Sequence, residues 1–173
     1  MQVIPKVVRL DLQYNAEQTH LYCHETLYLG AYPQEDENHF TRRLLMLLAL
    51  YETHPTMAKT PTGKGPDFYL LDHQHHYLLW CALDLPSEKQ LISASRRADK
   101  VLLFCNELEQ KKAQGMIRGH TNVEIILLTT SLINEFQQMI KPHMQIAVWR
   151  DQNNLTITDG ELSLDVMTGD FYH

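Results

Sequence analysis

Several things the chain lacks narrow what it can be. Its 173 residues hold 15 Lys and Arg against 21 Asp and Glu, a formal net charge of −6. Phosphates are therefore repelled by the chain as a whole, and any nucleic-acid contact needs a local basic patch. No apolar run exceeds Leu44 to Leu50, far short of the roughly 20 residues that cross a bilayer. No apolar stretch ending in small residues opens the sequence as an export signal would, so the expectation is a cytoplasmic protein without membrane contact. Cys23, Cys81 and Cys105 are odd in number, far apart and set in apolar segments. That argues against a disulfide framework or a zinc motif and predicts buried thiols. Glycine-rich phosphate loops are missing too, because Thr62-Gly63-Lys64-Gly65 has neither the spacing nor the strand-to-helix setting of a P-loop. No Ser-centred nucleophile elbow occurs.

What is present is an ordinary apolar fraction of 44% with 9% aromatics, enough to bury the core of one domain spanning residues 1–173. Val3 to Tyr14 and His20 to Ala31 alternate with the two-residue period of strands, with Leu21, Cys23, Leu27 and Leu29 on one face, and Asn15 to Thr19 reads as the turn between them. After Tyr32-Pro33, the acidic run Glu35-Asp36-Glu37 suits the positive end of a helix dipole and predicts a helix from about Glu35 to Glu52. Its centre is apolar nearly all round, as in a helix covered on several sides. Pro55, Pro61, Gly63, Gly65 and Pro66 mark a loop, with strands on either side expected to share one sheet.

Asp67 to Leu71 and Tyr77 to Leu83 read as short strands around a polar turn. Ser87-Glu88-Lys89-Gln90 forms a capping box that starts a helix ending near Ala98. Lys100 to Cys105 and Val123 to Thr129 look like strands buried on both faces. With a helix over Glu107 to Arg118 between them, they predict a parallel crossover unit. A short helix from Ser131 follows, then strands at Met144 to Arg150, Leu155 to Thr158 and Glu161 to Met167, with Asp159-Gly160 predicting a type I′ hairpin.

Few side chains suggest chemistry by themselves. Asp72-His73-Gln74-His75-His76 has the imidazoles of a metal site but no Cys or carboxylate framework, and is expected to be an exposed turn without metal. Arg42-Arg43, Arg96-Arg97 and Lys111-Lys112 are basic pairs on separate helices, by default solvated.

Pro66-Asp67, the strand Leu78 to Asp84, the capped helix and the buried strand after it follow the layout of a PD-(D/E)XK nuclease core. Together with Tyr32-Pro33, Glu35, Arg43-Leu44-Leu45, Leu79-Trp80, Leu85-Pro86 and Val101 to Phe104, the chain resembles the YaeQ family, a branch of that fold, over most of its length. The resemblance implies an α/β (α+β) fold of restriction-endonuclease-like type, with a mixed central sheet flanked by helices and a C-terminal antiparallel hairpin extension. It implies a first-helix region carrying Glu35 and Arg43. It also implies a site in which carboxylates hold Mg²⁺ or Mn²⁺ while a lysine positions the attacking water.

The chain departs from the family at those positions. Ala82 stands where the family has glutamate, Ile92 and Ser93 where it has lysines, and Asn38 where it has a further glutamate. A methyl group cannot ligate a metal, so the catalytic site is expected to be impaired. A displaced site could use Asp67 and Asp84 as metal ligands with Lys89 near the water, because Asp84 lies two residues past Ala82 and Lys89 one helical turn before the lost lysines. The plainer reading makes Asp84 a strand-end residue and Lys89 a solvated charge.

Asp67 and Ala82 are expected to face the same pocket. No cleavage of DNA or RNA above background is expected, with partial recovery only when Ala82→Glu is combined with Ser93→Lys. The function this implies is binding or regulation near nucleic acid, with no certain cofactor. The alternatives are an active Mg- or Mn-dependent nuclease using the displaced site, or a protein-interaction module that keeps only the fold.

Overall fold

Alternating apolar and polar residues build the outer strands, and continuous apolar runs build the inner ones. A computed structural model describes residues 5–60 and 65–168; Val3, Ile4, Pro61 and the Thr62-Gly63-Lys64 part of the loop lie outside the described residues. The chain divides into two compact units, one formed by residues 1–49 and 130–173 and the other by residues 50–129.

Among the described residues the first unit holds a five-stranded sheet, two α-helices and a short 3-10 turn at Glu17–Thr19. The strands are β1 (Val7–Ala16), β2 (Leu21–Gly30), β8 (His143–Asp151), β9 (Asn154–Thr158) and β10 (Ser163–Met167), in the order β10-β9-β8-β1-β2. β1 pairs antiparallel with β2 but parallel with β8, from Arg9 opposite His143 to Ala16 opposite Arg150. One face is apolar and buried, with Leu10, Leu12, Tyr14, Met144, Ile146, Val148, Ile157 and Val166 on it. The other face carries the polar alternates. Helix α1 (Glu37–Ala49) packs against α4 (Thr130–Gln137), which in turn contacts β10.

The second unit has its own sheet of β3 (Thr56–Met57), β4 (Phe68–Leu71), β5 (Tyr77–Ala82), β6 (Ala98–Cys105) and β7 (Val123–Leu127), in chain order. β5, β6 and β7 run parallel through the crossovers α2 (Glu88–Arg97) and α3 (Gln110–Met116). The parallel pairing of β6 and β7 is the one expected from their apolar runs. The capping box is present as well: Ser87 Oγ accepts from the Gln90 N–H (3.2 Å), and Gln90 Oε1 accepts from the Ser87 N–H (3.0 Å).

The mixed α+β class is as expected, but several local expectations are corrected. The strands before and after the Pro55 to Pro66 loop belong to different sheets: β2 pairs with β1, while β4 pairs with β3 and β5. The C-terminal strands extend the N-terminal hairpin. α1 begins two residues late because Asp36 is its cap, Oδ1 accepting from the His39 N–H (2.7 Å). α3 is shortened because Asn106 Oδ1 takes the Leu108 and Glu109 N–H groups into a turn, both at 2.9 Å. The Asp159 turn is not type I′. Only Gly160 has positive φ (96°) there, and Asp159 Oδ1 accepts from the Glu161 and Leu162 N–H groups at 2.9 and 2.8 Å in a longer connection. Among the described residues no helix is long and apolar enough to cross a membrane.

Candidate functional site

Of the residues singled out for phosphodiester chemistry, Asp67 and Ala82 meet at one end of β5. Phe68 pairs with Cys81, and the next step carries Asp67 to the Cys81–Leu83 end of β5, next to Ala82. Asp67 is half-buried, and its backbone N–H donates to the Cys81 carbonyl (2.8 Å). Its carboxylate Oδ2 accepts from the Leu83 N–H at 2.7 Å. That bond ties the loop before β4 to the end of β5, which is a structural use for the carboxylate.

Ala82 is 4% exposed and belongs to an apolar cluster with Trp80, Leu91, Ala94, Ala98, Val101, Leu103 and Val123. The face of β5 that carries Ala82 is therefore the face against which α2 packs. Leu91 and Ala94 point into this cluster, whereas Lys89, Ile92 and Ser93 are exposed. Lys89 and Ser93 are four residues apart and share the outward side of α2. A lysine placed at Ser93 would start from that outward side. β5 ends at Ala82, and the two-residue alternation used to reach Asp84 stops there; Asp84 is exposed in a bend. Among the described residues no group of three or more His, Cys, Asp or Glu side chains could hold a metal ion.

In the other unit, Glu35 and Arg43 form a buried pair. Arg43 donates from Nε to Glu35 Oε2 (2.9 Å), from Nη2 to Oε1 (2.7 Å) and from Nη2 to the Gly30 carbonyl (2.6 Å). Its guanidinium lies 3.8 Å from the centre of the Tyr32 ring. His39 Nδ1 also meets Glu35 Oε2, and the Tyr32 N–H donates to Oε1 at 3.1 Å. Burial pushes the Glu35 carboxyl up, but the hydrogen bonds from His39, Arg43 and Tyr32 outweigh it and hold the group down at about 2. Glu35 is thus committed to joining α1 to the end of β2. His39 was not singled out in the sequence, although the four-residue steps Glu35, His39, Arg43 are the signal that finds it. Asn38 Oδ1 is held by Arg42 Nε at 2.8 Å.

A family model described as YaeQ protein matches residues 1–168. The chain belongs to the YaeQ family. It is similar to the crystal structure of the YaeQ protein from Xanthomonas axonopodis pv. citri, at 20% identity, TM-score 0.80, and 95% and 98% coverage of this chain and that one. It is also similar to that of the YaeQ protein from Pseudomonas syringae, at 17% identity, TM-score 0.79, and 94% and 93% coverage. Both share its fold. A comparison with curated proteins finds no match.

The remaining candidates of this YaeQ-family chain fall on surfaces. In the histidine turn, Asp72 Oδ1 accepts from the Gln74 and His76 N–H groups at 2.8 and 2.9 Å, and His76 Nε2 meets Asp99 Oδ1 at 2.8 Å. Lys89, Arg96, Arg97, Lys111 and Lys112 are all exposed, on the helices α2 and α3 of one unit.

Proposed function

We propose that this cytoplasmic YaeQ-family protein is one domain over residues 1–173, a member of the PD-(D/E)XK nuclease-like superfamily that has lost hydrolysis and acts by binding nucleic acid. The observation that carries the first half is the packing of Ala82. Where the family resemblance puts a metal-binding glutamate, a methyl group sits in an apolar cluster with Trp80 and Leu91. Lys89, the nearest substitute for a water-positioning ammonium, is exposed with Ser93 on the outward side of α2. A hard divalent ion left with Asp67 and Asp84 alone would keep most of its coordination as water, and would bind weakly.

The choice of partner rests on charge. Residues 50–129 hold nine basic and nine acidic side chains, so the net negative charge of the chain lies outside that unit. Within it, the exposed Lys89, Arg96, Arg97, Lys111 and Lys112 give α2 and α3 a basic surface for a phosphate backbone.

The test combines binding and cleavage. Fluorescence anisotropy with labelled single- and double-stranded oligonucleotides should show affinity that falls with salt, and Lys111→Glu with Lys112→Glu should weaken it and lower the salt slope by about 2. Incubation with Mg²⁺ or Mn²⁺ should give no cleavage above background. Robust cleavage abolished by Asp84→Ala would instead establish an active nuclease using the displaced site. Absence of binding even at low salt would leave the protein-interaction reading.

A further inference from the structure

We propose that the outward face of the β10-β9-β8-β1-β2 sheet carries a binding site for a neutral polyhydroxylated ligand, a saccharide residue seated on Ala147 beside the Trp149 indole. This goes beyond the nucleic-acid reading and does not rest on it. On β8, Met144, Ile146 and Val148 are buried, so Gln145, Ala147 and Trp149 point outward. Ala147 lies across from Gln13 on β1 and Thr158 on β9. Its methyl is thus ringed by four longer side chains: Trp149 and Gln145 along its own strand, Gln13 and Thr158 on its neighbours. The result is a shallow, open hollow of about 510 Å³ whose rim is completed by Asp11, His24 and Asp159. That is within the range of small-ligand sites.

The chemistry of the rim selects the ligand. Trp149 is 48% exposed, a large aromatic surface left in solvent on a strand. An indole face packs against the C–H side of a sugar ring. The side-chain amides of Gln13 and Gln145 each offer both a donor and an acceptor, which suits hydroxyl groups, themselves both donor and acceptor, whereas Thr158 Oγ1 already donates to the Leu162 carbonyl (2.7 Å) and accepts from the Gly160 N–H (3.0 Å) and contributes shape.

Charged ligands fit less well. Among the described residues no Lys or Arg lines the hollow, and two carboxylates stand there against the single imidazole of His24, so a phosphate would meet more repulsion than attraction. Nor do those carboxylates call for a cation. Asp11 is engaged by Thr26 Oγ1 (2.9 Å), His143 Nε2 (2.7 Å) and Arg9 Nε (3.6 Å). Asp159 Oδ1 already accepts two backbone N–H groups.

The chain's other tryptophan, Trp80, is 2% exposed, so a ligand-dependent change in emission reports on Trp149. Glucose, galactose, mannose and N-acetylglucosamine, and a trisaccharide of each, are titrated to millimolar concentration by emission and calorimetry, with adenosine and tetramethylammonium as rival probes. At least one saccharide should give a saturable signal. Its affinity should fall about tenfold or more in Ala147→Leu, which fills the pit, and in Gln145→Ala, which removes a hydrogen-bonding arm from an exposed position. Melting temperature checks that both variants fold, and Gln145→Ala keeps the test decisive should Ala147→Leu not. The proposal is overturned by saturation with none of the sugars, by sugar binding that survives the folded variants, or by adenosine or tetramethylammonium binding there instead.

Discussion

Arg43 grips Glu35 in a two-pronged ion pair, 2.9 Å from Nε and 2.7 Å from Nη2, with both side chains 1% exposed. Geometry of this kind offsets the cost of burying two charges, but it leaves a severe penalty if either partner is removed alone.

The first prediction follows from the Glu35 carboxyl, held at about 2 against an ordinary 4.5. A carboxylate whose folded value is depressed stabilises the protein fully above its unfolded value, and the contribution is lost as pH falls through the folded one. Urea unfolding between about pH 5 and 2 should therefore show a loss attributable to this group on the order of 3 kcal/mol. Glu35→Gln should flatten that dependence, and Arg43→Ala should cost about 3–5 kcal/mol at neutral pH. Identical pH profiles for the wild type and Glu35→Gln would refute the assignment.

A second prediction separates the two lost family positions. Ala82→Glu puts a carboxylate among Trp80, Leu91, Ala94 and Leu103, and should destabilise by about 3 kcal/mol or more. Ser93→Lys, on the exposed side of α2, should stay within about 0.5 kcal/mol of the wild type. Denaturant midpoints of the two variants check this, and a neutral Ala82→Glu would mean that position 82 opens toward solvent.

Thiol chemistry gives the third. Cys81 is buried, with its proton affinity raised by burial and by the nearby Asp67 charge; burial and Glu109 push Cys105 up to about 11. Both should resist a thiol reagent in the native protein, while the half-buried Cys23 reacts. One fast thiol before unfolding and three after is the expected count; rapid native labelling at Cys81 would contradict the packing of β5.

The histidine turn supplies the fourth. Asp72 holds this turn through the Gln74 and His76 N–H groups, so Asp72→Ala should cost about 1–2 kcal/mol. Replacing His73 and His75 with alanine should leave the melting temperature unchanged with or without zinc. Elemental analysis finding one zinc per untagged chain, lost with those histidines, would overturn this.

Much of the fold was legible because it is local. The capping box at Ser87, the crossover from β6 to β7 and the alternation of β1 and β2 need only neighbouring residues. The parallel pairing of β1 with β8 was not legible: Arg9 meets His143 across most of the chain, and alternation says which way a side chain points but not which strand lies alongside. For the same reason Gln13, Gln145 and Trp149 pass unnoticed in sequence as ordinary outward residues. At the candidate site, the family resemblance together with strand alternation puts Asp67 and Ala82 in one pocket. The outward direction of Ser93 and the end of β5 at Ala82 depend on how α2 packs and where hydrogen bonding stops.

The parallel β1–β8 ladder also sets an order of events during synthesis. Residues 50–129 are contiguous and can complete their sheet as soon as β7 leaves the ribosome. β1 emerges well before β8 yet must wait for it, with only β2 beside it and its other edge open. A strand made before the whole second unit is among the last to find its full set of partners, and through that interval the nascent chain carries an unpaired edge that a chaperone could shield or a misfolded neighbour could capture.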